Sequence, residues 1–461
     1  MACMKILNAQ TRPVEKRKAK RLRIGVLSLG CPKTLVDSET ILGKLNPKRY
    51  QLVSTVADCD VALLNTCAFI EDAQEESLER IHDLIELKKE KQIRALIVMG
   101  CLVQRFPKDL REQLHEVDAF VGSGEYAKIP GIVERVMQGE RVFQVAAPGY
   151  LATSGEARIT LTPPHYRYLK ISEGCDHICS FCTIPSFRGK HRSRTIGDII
   201  QEARRLADEG AKEIILTGQD TTYFGRDHGG RYLLPELLRE LDQIEGLEWI
   251  RVLYAYPSCI TDELMAVMRG SRHICHYLDM PLQHASDRML LAMRRGMTRR
   301  HTIDLIRRFR VLIPDLAIRT TFIVGFPGET EEDFEELLAF MDEIRFERLG
   351  IFTYSREEGS GAFSLPDQIP EKNKVKRRER AMRLQQKISR ELNQRMLGKT
   401  LKAVLEERSE KNPSLWIGRS YQDAPEVDGN VLIHSPQKLR IGAFYHARVI
   451  STQDYDLVAE I

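Results

Sequence analysis

The sequence predicts an α/β protein of three successive domains: a parallel α/β domain, a partial six-unit (βα) barrel, and a small antiparallel β-barrel. Three observations carry that prediction. Apolar strand-like runs alternate with amphipathic helical runs through most of the chain, which implies parallel sheets. The stretch "APGYLATSGEARITLTPP", rich in Gly, Pro, Ser and Thr, interrupts the alternation once. After Leu397 the pattern changes to short strand-like pieces separated by turns such as Asp428-Gly429.

Taken in order, residues 1–22 read as a basic disordered tail. Residues 23–147 hold the first domain, with strands expected at "RIGVLSLG", "VALLNTC", "ALIVMGC" and "AFVGSG". Residues 148–164 read as a linker. Residues 165–395 carry strands at "YRYLKIS", "EIILTG", "WIRVLYA", "YLDMPLQ", "RTTFIVG" and "LGIFTYS". Six units suit a partial barrel, with a doubly wound open sheet as the competitor; either places active groups at strand C-termini. Residues 396–461 form the small barrel, from "KAVLEE", "LWIGRS", "NVLIHS" and the final "FYHARVISTQDYDLVAEI".

At 461 residues, with 43% hydrophobic and 29% charged side chains, the chain suits a water-soluble protein of roughly three domains. No apolar run is long enough to span a bilayer, and the start of the chain lacks an apolar signal segment. The expected location is the cytoplasm, where ten cysteines point to metal or redox chemistry before disulfides. The net charge of +4 is unevenly spread. Met1 to Arg23 carries eight Lys or Arg against one Glu, and Glu371 to Arg395 carries ten against three. Such runs suit an anionic partner or a solvated face.

The cysteines carry the chemistry. Cys31, Cys67 and Cys101 each end an expected strand, at spacings of 36 and 34 residues, about one βα unit apiece. Parallel strands align their ends along one edge, so three thiols remote in sequence can meet there. Cys175, Cys179 and Cys182, in "EGCDHICSFC", follow the first strand of the barrel. Three thiolates on a four-iron cube leave one iron open to a small molecule, and soft sulfur donors suit such clusters. Zinc is the rival for the second set, although His177 is a poor fourth ligand, lying between two of the cysteines. Plain burial is the rival for the first set, and it is the expectation for Cys3, Cys59, Cys259 and Cys275.

"CDHICSFC" on that loop resembles the signature of the radical S-adenosylmethionine superfamily. Preceded by a three-cysteine α/β domain and followed by a small β-barrel of TRAM type, it resembles the methylthiotransferases of that superfamily, from about Arg23 to Ile461. The resemblance implies two 4Fe–4S clusters, one on Cys175, Cys179 and Cys182, and an auxiliary one on Cys31, Cys67 and Cys101. It implies S-adenosylmethionine, two molecules per turnover: one methylates a sulfur, the other yields a 5′-deoxyadenosyl radical. Catalysis needs no side chain beyond the cluster ligands, the cofactor carrying the hard chemistry. Cofactor contacts are implied for Phe181, the aromatic beside the cluster, and for Gly218 and Gln219, which stand where many relatives carry Gly-Gly-Glu. Gln283 at the end of the fourth strand, and Val324 and Gly325 along the adenine, complete the set.

Within the family, "GCPKTLVDSE", "YPSCITDEL", "LDMPLQHASDRML" and "APEVDGNVLI" are similar to the branch that methylthiolates the β-carbon of an aspartate in small-subunit ribosomal protein twelve. The branch that modifies an adenosine of transfer RNA near the anticodon is the alternative. A non-catalytic iron–sulfur redox sensor is the alternative of another class. Met396 to Ile461 holds eight basic against nine acidic side chains, and Asp423, Glu426 and Asp428 crowd one turn. That turn reads as an acidic patch for a basic ribosomal protein. Arg188, Lys190, Arg192 and Arg194 are expected at the barrel mouth, either near the substrate carboxylate or solvated. The expected partners are thus the ribosomal protein and an electron donor, with ribosomal RNA contact through the basic runs, no membrane, and a monomeric chain.

Overall fold

A computed structural model describes residues 21–461. Most of the expected tail, with Cys3, lies outside the described residues, and the first strand already begins at Leu22. The described chain forms two compact units. One runs to Leu161 and includes Glu173–His177 and Cys182–Arg192; the other comprises Thr162–Ser172, Ile178–Phe181 and Ser193–Ile461.

The first unit is built on six parallel strands: β1 (Leu22–Ser28), β2 (Tyr50–Val53), β3 (Val61–Thr66), β4 (Ala95–Gly100), β5 (Ala119–Gly122) and β6 (Val142–Gln144). Their order is β2-β1-β3-β4-β5-β6. Alternate residues feed two separate cores: Ala62, Leu64, Leu96 and Val98 on one face, Val61, Leu63, Ile97 and Met99 on the other. A parallel sheet covered on both faces needs such continuous apolar strands. The edge strands β2 and β6 were not expected, being short and less apolar. Part of the expected linker is a strap on helix Pro32–Gly43. Glu39 accepts bonds from Arg158 Nε at 2.7 Å and from the Leu161 N–H at 2.6 Å.

The second unit opens with β7 (Tyr166–Lys170), and the two-residue strands β8 (Ser172–Glu173) and β9 (Arg192–Ser193) each fall at a boundary between the units along the chain. Then follow β10 (Glu213–Thr217), β11 (Trp249–Val252), β12 (Ile274–Asp279), β13 (Ala317–Val324) and β14 (Arg348–Thr353). The six main strands lie in the order β14-β13-β12-β11-β10-β7, so each parallel strand neighbours its predecessor without a reversal. A doubly wound sheet would reverse direction, so the partial barrel prevails. The last five strands, β15 (Thr400–Arg408), β16 (Leu415–Ser420), β17 (Val431–His434), β18 (Phe444–Thr452) and β19 (Leu457–Glu460), close a small barrel in the order β15-β16-β17-β19-β18. One pair, β17 with β19, is parallel, an exception to the expected antiparallel plan.

The acidic turn is not a patch awaiting a partner. Arg348 donates to Asp423 Oδ1 through Nη2 at 2.5 Å and Nε at 2.9 Å. Asp428 accepts from Tyr277 Oη at 2.7 Å and pairs with Arg319 Nε at 3.3 Å. Burial holds the Asp428 carboxyl above its usual range, against the pull of Arg319 and Arg348. Exposed Glu426 accepts a 3.3 Å bond from Tyr166 Oη. These carboxylates hold the small barrel to the six-stranded sheet, so their charge says nothing about the substrate.

The basic run Glu371–Arg395 forms helix Glu371–Gln394. Arg377 reaches Glu329 and Glu331, Arg380 reaches Glu331 and Glu335, and Arg390 reaches Asp454. Part of its charge is therefore satisfied inside this unit.

One helix start supplies an acid-sensitive anchor. Asp333 closes a capping box with Thr330 at the head of helix Glu331–Ile344 and accepts from Ser286 Oγ at 2.6 Å. Burial alone would raise its carboxyl, but Arg288, Ser286 and Thr330 outweigh burial and lower it to about 2 from the usual 3.8. Its stabilising contribution is present above the unfolded value and is lost as pH falls through the folded one. Asp333→Asn is expected to flatten the fall in stability between about pH 4 and 2, measured by urea midpoints at each pH.

Candidate functional site

Cys31, Cys67 and Cys101 follow β1, β3 and β4, three strands that are neighbours in the sheet and in register, with Ser28 opposite Asn65 and Thr66 opposite Gly100. Neighbouring strands lie about 4.8 Å apart, which brings the three ends within reach of one small group. Cys31 caps helix Pro32–Gly43, with its Sγ 3.7 Å from Thr34 Oγ1. Gly30 has φ +91°, and a Cβ there would stand 2.9 Å from Cys67 Sγ, so the close approach requires glycine. The Cys67 N–H donates to Ser77 Oγ at 3.1 Å. Asn65 donates to Thr34 O and Ser38 Oγ, tying the first helix to the end of β3.

The three thiols act on one another. Burial, then the charges of Cys101 and Cys31, push the Cys67 thiol up to about 12. Burial also raises Cys101, against the opposing charge of Arg188. Cys31 is lowered: burial opposes this, but Lys33, the Thr34 N–H and Arg188 together outweigh it. Three sulfurs whose charges repel, Cys67 and Cys101 buried and Cys31 half-buried, form a poor packing core and a fitting donor set for a cationic iron–sulfur core.

Arg188 completes this arrangement. Arg188 is 5% exposed, and its guanidinium donates to Cys101 Sγ from Nη2 at 2.9 Å and from Nε at 3.3 Å. Its Nη1 donates to Asp37 at 2.9 Å and to Glu173 at 3.4 Å. Arg194 is likewise buried, bonded to Asp198 and Glu202. Neither side chain is a free cation for a substrate carboxylate or a solvated one, which corrects the expectation for both. Lys190 is exposed and Arg192 half-buried.

The second cysteine set is divided between the units. In the first, the Cys175 N–H donates to Gly189 O at 3.1 Å and Cys182 Sγ accepts from the Ile184 N–H at 3.4 Å. In the second, Cys179 Sγ accepts from Arg295 Nη1 at 3.4 Å, and Arg295 lies 4.0 Å over the Tyr256 ring. Ser180 is anchored to Ala292, Met293 and Ala362 by three hydrogen bonds. Phe181 packs against the Met289, Met293, Phe326, Tyr354 and Ala362 cluster.

Of the expected cofactor contacts, Gly218 directly follows β10, 2.5 Å from Ser172 Oγ and 3.7 Å from Thr221 Oγ1 as measured from the Cβ it lacks. The buried oxygens Ser172 Oγ, Thr217 Oγ1, Thr221 Oγ1 and Gln283 Oε1 have no hydrogen-bond partner among the described residues. Unsatisfied buried groups cost about 1–3 kcal/mol each, so several within one unit suit a polar ligand. Asp220 beside Gln219 instead closes its own turn, accepting from Thr222 and Tyr223. Gln283 does not end the fourth strand, since β12 stops at Asp279. It stands beyond, at φ +77°, in a single bridge to Phe322. Val324 ends β13, and Gly325 follows at φ +75°. The space beside Gly325 is filled by Lys374, whose Cγ would lie 2.3 Å from an added Cβ, so that glycine admits a lysine stem. Its N–H donates to Glu329, which also accepts from Arg377 and pairs with His284.

Arg188, Asp37, Glu173, Arg295, Ser172, Thr217 and Thr221 were not singled out for these roles by sequence. None lies in a spacing that marks a ligand. Cys59, Cys259 and Cys275 are buried, as expected.

Family profiles match three segments: the uncharacterized protein family UPF0004 over residues 23–122, the radical SAM superfamily over 169–341, and the TRAM domain over 397–461. The fold is shared with TsrM, a radical S-adenosylmethionine methyltransferase from Kitasatospora setae solved with cobalamin and a [4Fe-4S] cluster. That chain is 14% identical with a TM-score of 0.55, over 74% of this chain and 77% of that one. Fold and profiles together define a radical SAM protein with a TRAM domain.

Among curated proteins, the chain is 47% identical to ribosomal protein uS12 methylthiotransferase RimO of Pelotomaculum thermopropionicum, over 95% of this chain and 99% of that protein. It is 48% identical, with the same coverage, to the protein of that name from Caldanaerobacter subterraneus subsp. tengcongensis. The chain belongs to this RimO family of methylthiotransferases. It is accordingly a radical SAM enzyme that uses S-adenosylmethionine and 4Fe–4S clusters.

Proposed function

We propose that the enzyme methylthiolates the β-carbon of an aspartate in ribosomal protein uS12. The observation that carries this reading is the near full-length identity of 47–48% to proteins named for that substrate. In this reading Cys175, Cys179 and Cys182 hold one cluster and Cys31, Cys67 and Cys101 the other. When bound, the clusters and S-adenosylmethionine supply one-electron cleavage of a sulfonium, abstraction of a hydrogen atom, and a methylthio group. Such chemistry suits the aspartate β-carbon, whose C–H is too weakly acidic beside a carboxylate for a general base to remove.

The chain's own residues bind and position. Ser172, Thr217, Thr221 and Gln283 offer buried oxygens to the polar groups of S-adenosylmethionine, and Gly218 leaves room beside them. Phe181 holds its loop against the Met289–Met293 cluster. Exposed Lys372, Lys376, Arg383 and Lys387 on one face of the long helix supply a basic stripe for ribosomal RNA, consistent with a TRAM domain in the same chain. No helix among the described residues is long and apolar enough to cross a membrane.

The reading is tested with anaerobically reconstituted enzyme, S-adenosylmethionine and a low-potential reductant, offered uS12 and transfer RNA in parallel. The expected result is replacement of one hydrogen by one methylthio group on the uS12 aspartate, seen by mass spectrometry, with unmodified RNA. Modification of the RNA alone would reassign the enzyme to the transfer-RNA branch.

A further inference from the structure

Arg188 is buried beside a thiol with two carboxylates behind it, and this placement needs an explanation. A buried guanidinium persists only when paired and hydrogen-bonded. Asp37 and Glu173, 1% and 4% exposed, would balance its charge more than once. Yet two of its N–H groups, at 2.9 and 3.3 Å, are given to Cys101 Sγ.

We propose that Arg188, backed by Asp37 and Glu173, is a positioning residue that sets the reduction potential of the cluster held by Cys31, Cys67 and Cys101. The inference rests on the ligand assignment proposed above and goes beyond it. Reduction adds negative charge to a cluster and its sulfur ligands, so N–H donors and a nearby cation favour the reduced state, and nearby carboxylates oppose it. A planar fork can donate twice to one sulfur and a third time to Asp37, a geometry no lysine reproduces. The other cysteine set has a sparser counterpart. Arg295 gives Cys179 one bond at 3.4 Å, and its other terminal nitrogen binds Pro281 O at 2.7 Å. The potential of one cluster is thereby adjustable by residues that do not touch the other set's donor.

The test uses full-length protein carrying Cys175→Ala, Cys179→Ala and Cys182→Ala, reconstituted anaerobically so that only the auxiliary cluster is loaded. A redox titration followed by electron paramagnetic resonance reads its midpoint. Arg188→Gln is expected to lower the midpoint and Asp37→Asn to raise it, with Arg188→Lys between wild type and Arg188→Gln. Shifts of opposite sign are not produced by a merely structural role, which would instead reduce iron content in each variant. If Arg188→Gln does not retain iron, the upward shift in Asp37→Asn still carries the proposal. An unmoved or lowered midpoint in loaded Asp37→Asn overturns it, as does an unmoved midpoint in loaded Arg188→Gln. If the triple-alanine protein binds no iron while the wild type does, the ligand assignment fails, and the inference with it.

Discussion

Cys67→Ala is expected to go on cleaving S-adenosylmethionine to 5′-deoxyadenosine while forming no methylthiolated uS12. Cys67 follows β3, which lies between β1 and β4, so its removal takes the middle donor from the set. Two remaining thiols cannot hold a four-iron cube firmly, and iron should fall from about eight to about four per chain. Product formation should fall by more than about 100-fold, beyond the 10–100-fold typical of losing a group that only supports a metal ligand. The proposed radical-generating ligands Cys175, Cys179 and Cys182 are untouched by the change, which is why cleavage should continue. Cys59→Ala is the control. Cys59 is fully buried in the same unit, its thiol raised by burial to about 11, and it belongs to neither set. It should cost some stability and no iron. Loss of both activities in Cys67→Ala with all iron retained would contradict the assignment.

The second large effect is on stability. Glu213, at the start of β10, pairs with two buried arginines: Arg251 of β11, whose Nε donates at 2.7 Å, and Arg419 of β16. Arg419 also donates to Glu406 at 2.6 Å, and Glu406 meets His165 at 2.6 Å. Arg251 lies 4.6 Å over the Tyr277 ring and donates to Tyr421 O at 2.7 Å. This network fastens the small barrel to the six-stranded sheet at the strand start, away from the C-terminal ends that carry chemistry in such barrels. Glu213→Gln leaves two buried guanidinium groups short of an anion and is expected to cost about 3–5 kcal/mol. Both tryptophans, Trp249 and Trp416, belong to this unit, so their fluorescence in urea reports its unfolding selectively. An unchanged midpoint would show that the network contributes little.

Sequence revealed the elements whose signals are local. The runs that became β3, β4 and β10 have continuous apolar stretches, and the three strand-end cysteines were visible because the βα repeat spaces them. Edge strands such as β2 (Tyr50–Val53) lack that signal, since one side of an edge strand has no partner to demand it. Charge was misread for a different reason. Arg188 meets Asp37 across 151 residues, and Arg348 meets Asp423 across 75, distances over which no sequence window shows a partner. A basic loop and an acidic turn therefore both looked available to a partner or to solvent when each was partly buried and paired. Gln283 was misplaced because the apolar run continues past Asp279 while the ladder stops there.

Six cysteines holding two iron–sulfur groups should be visible by iron-edge anomalous diffraction from crystals of the anaerobically reconstituted enzyme. Two iron peaks per chain are expected, one bonded to the sulfurs of Cys31, Cys67 and Cys101 and one to those of Cys175, Cys179 and Cys182. A single peak, or any peak bonded to Cys59, Cys259 or Cys275, would contradict that arrangement.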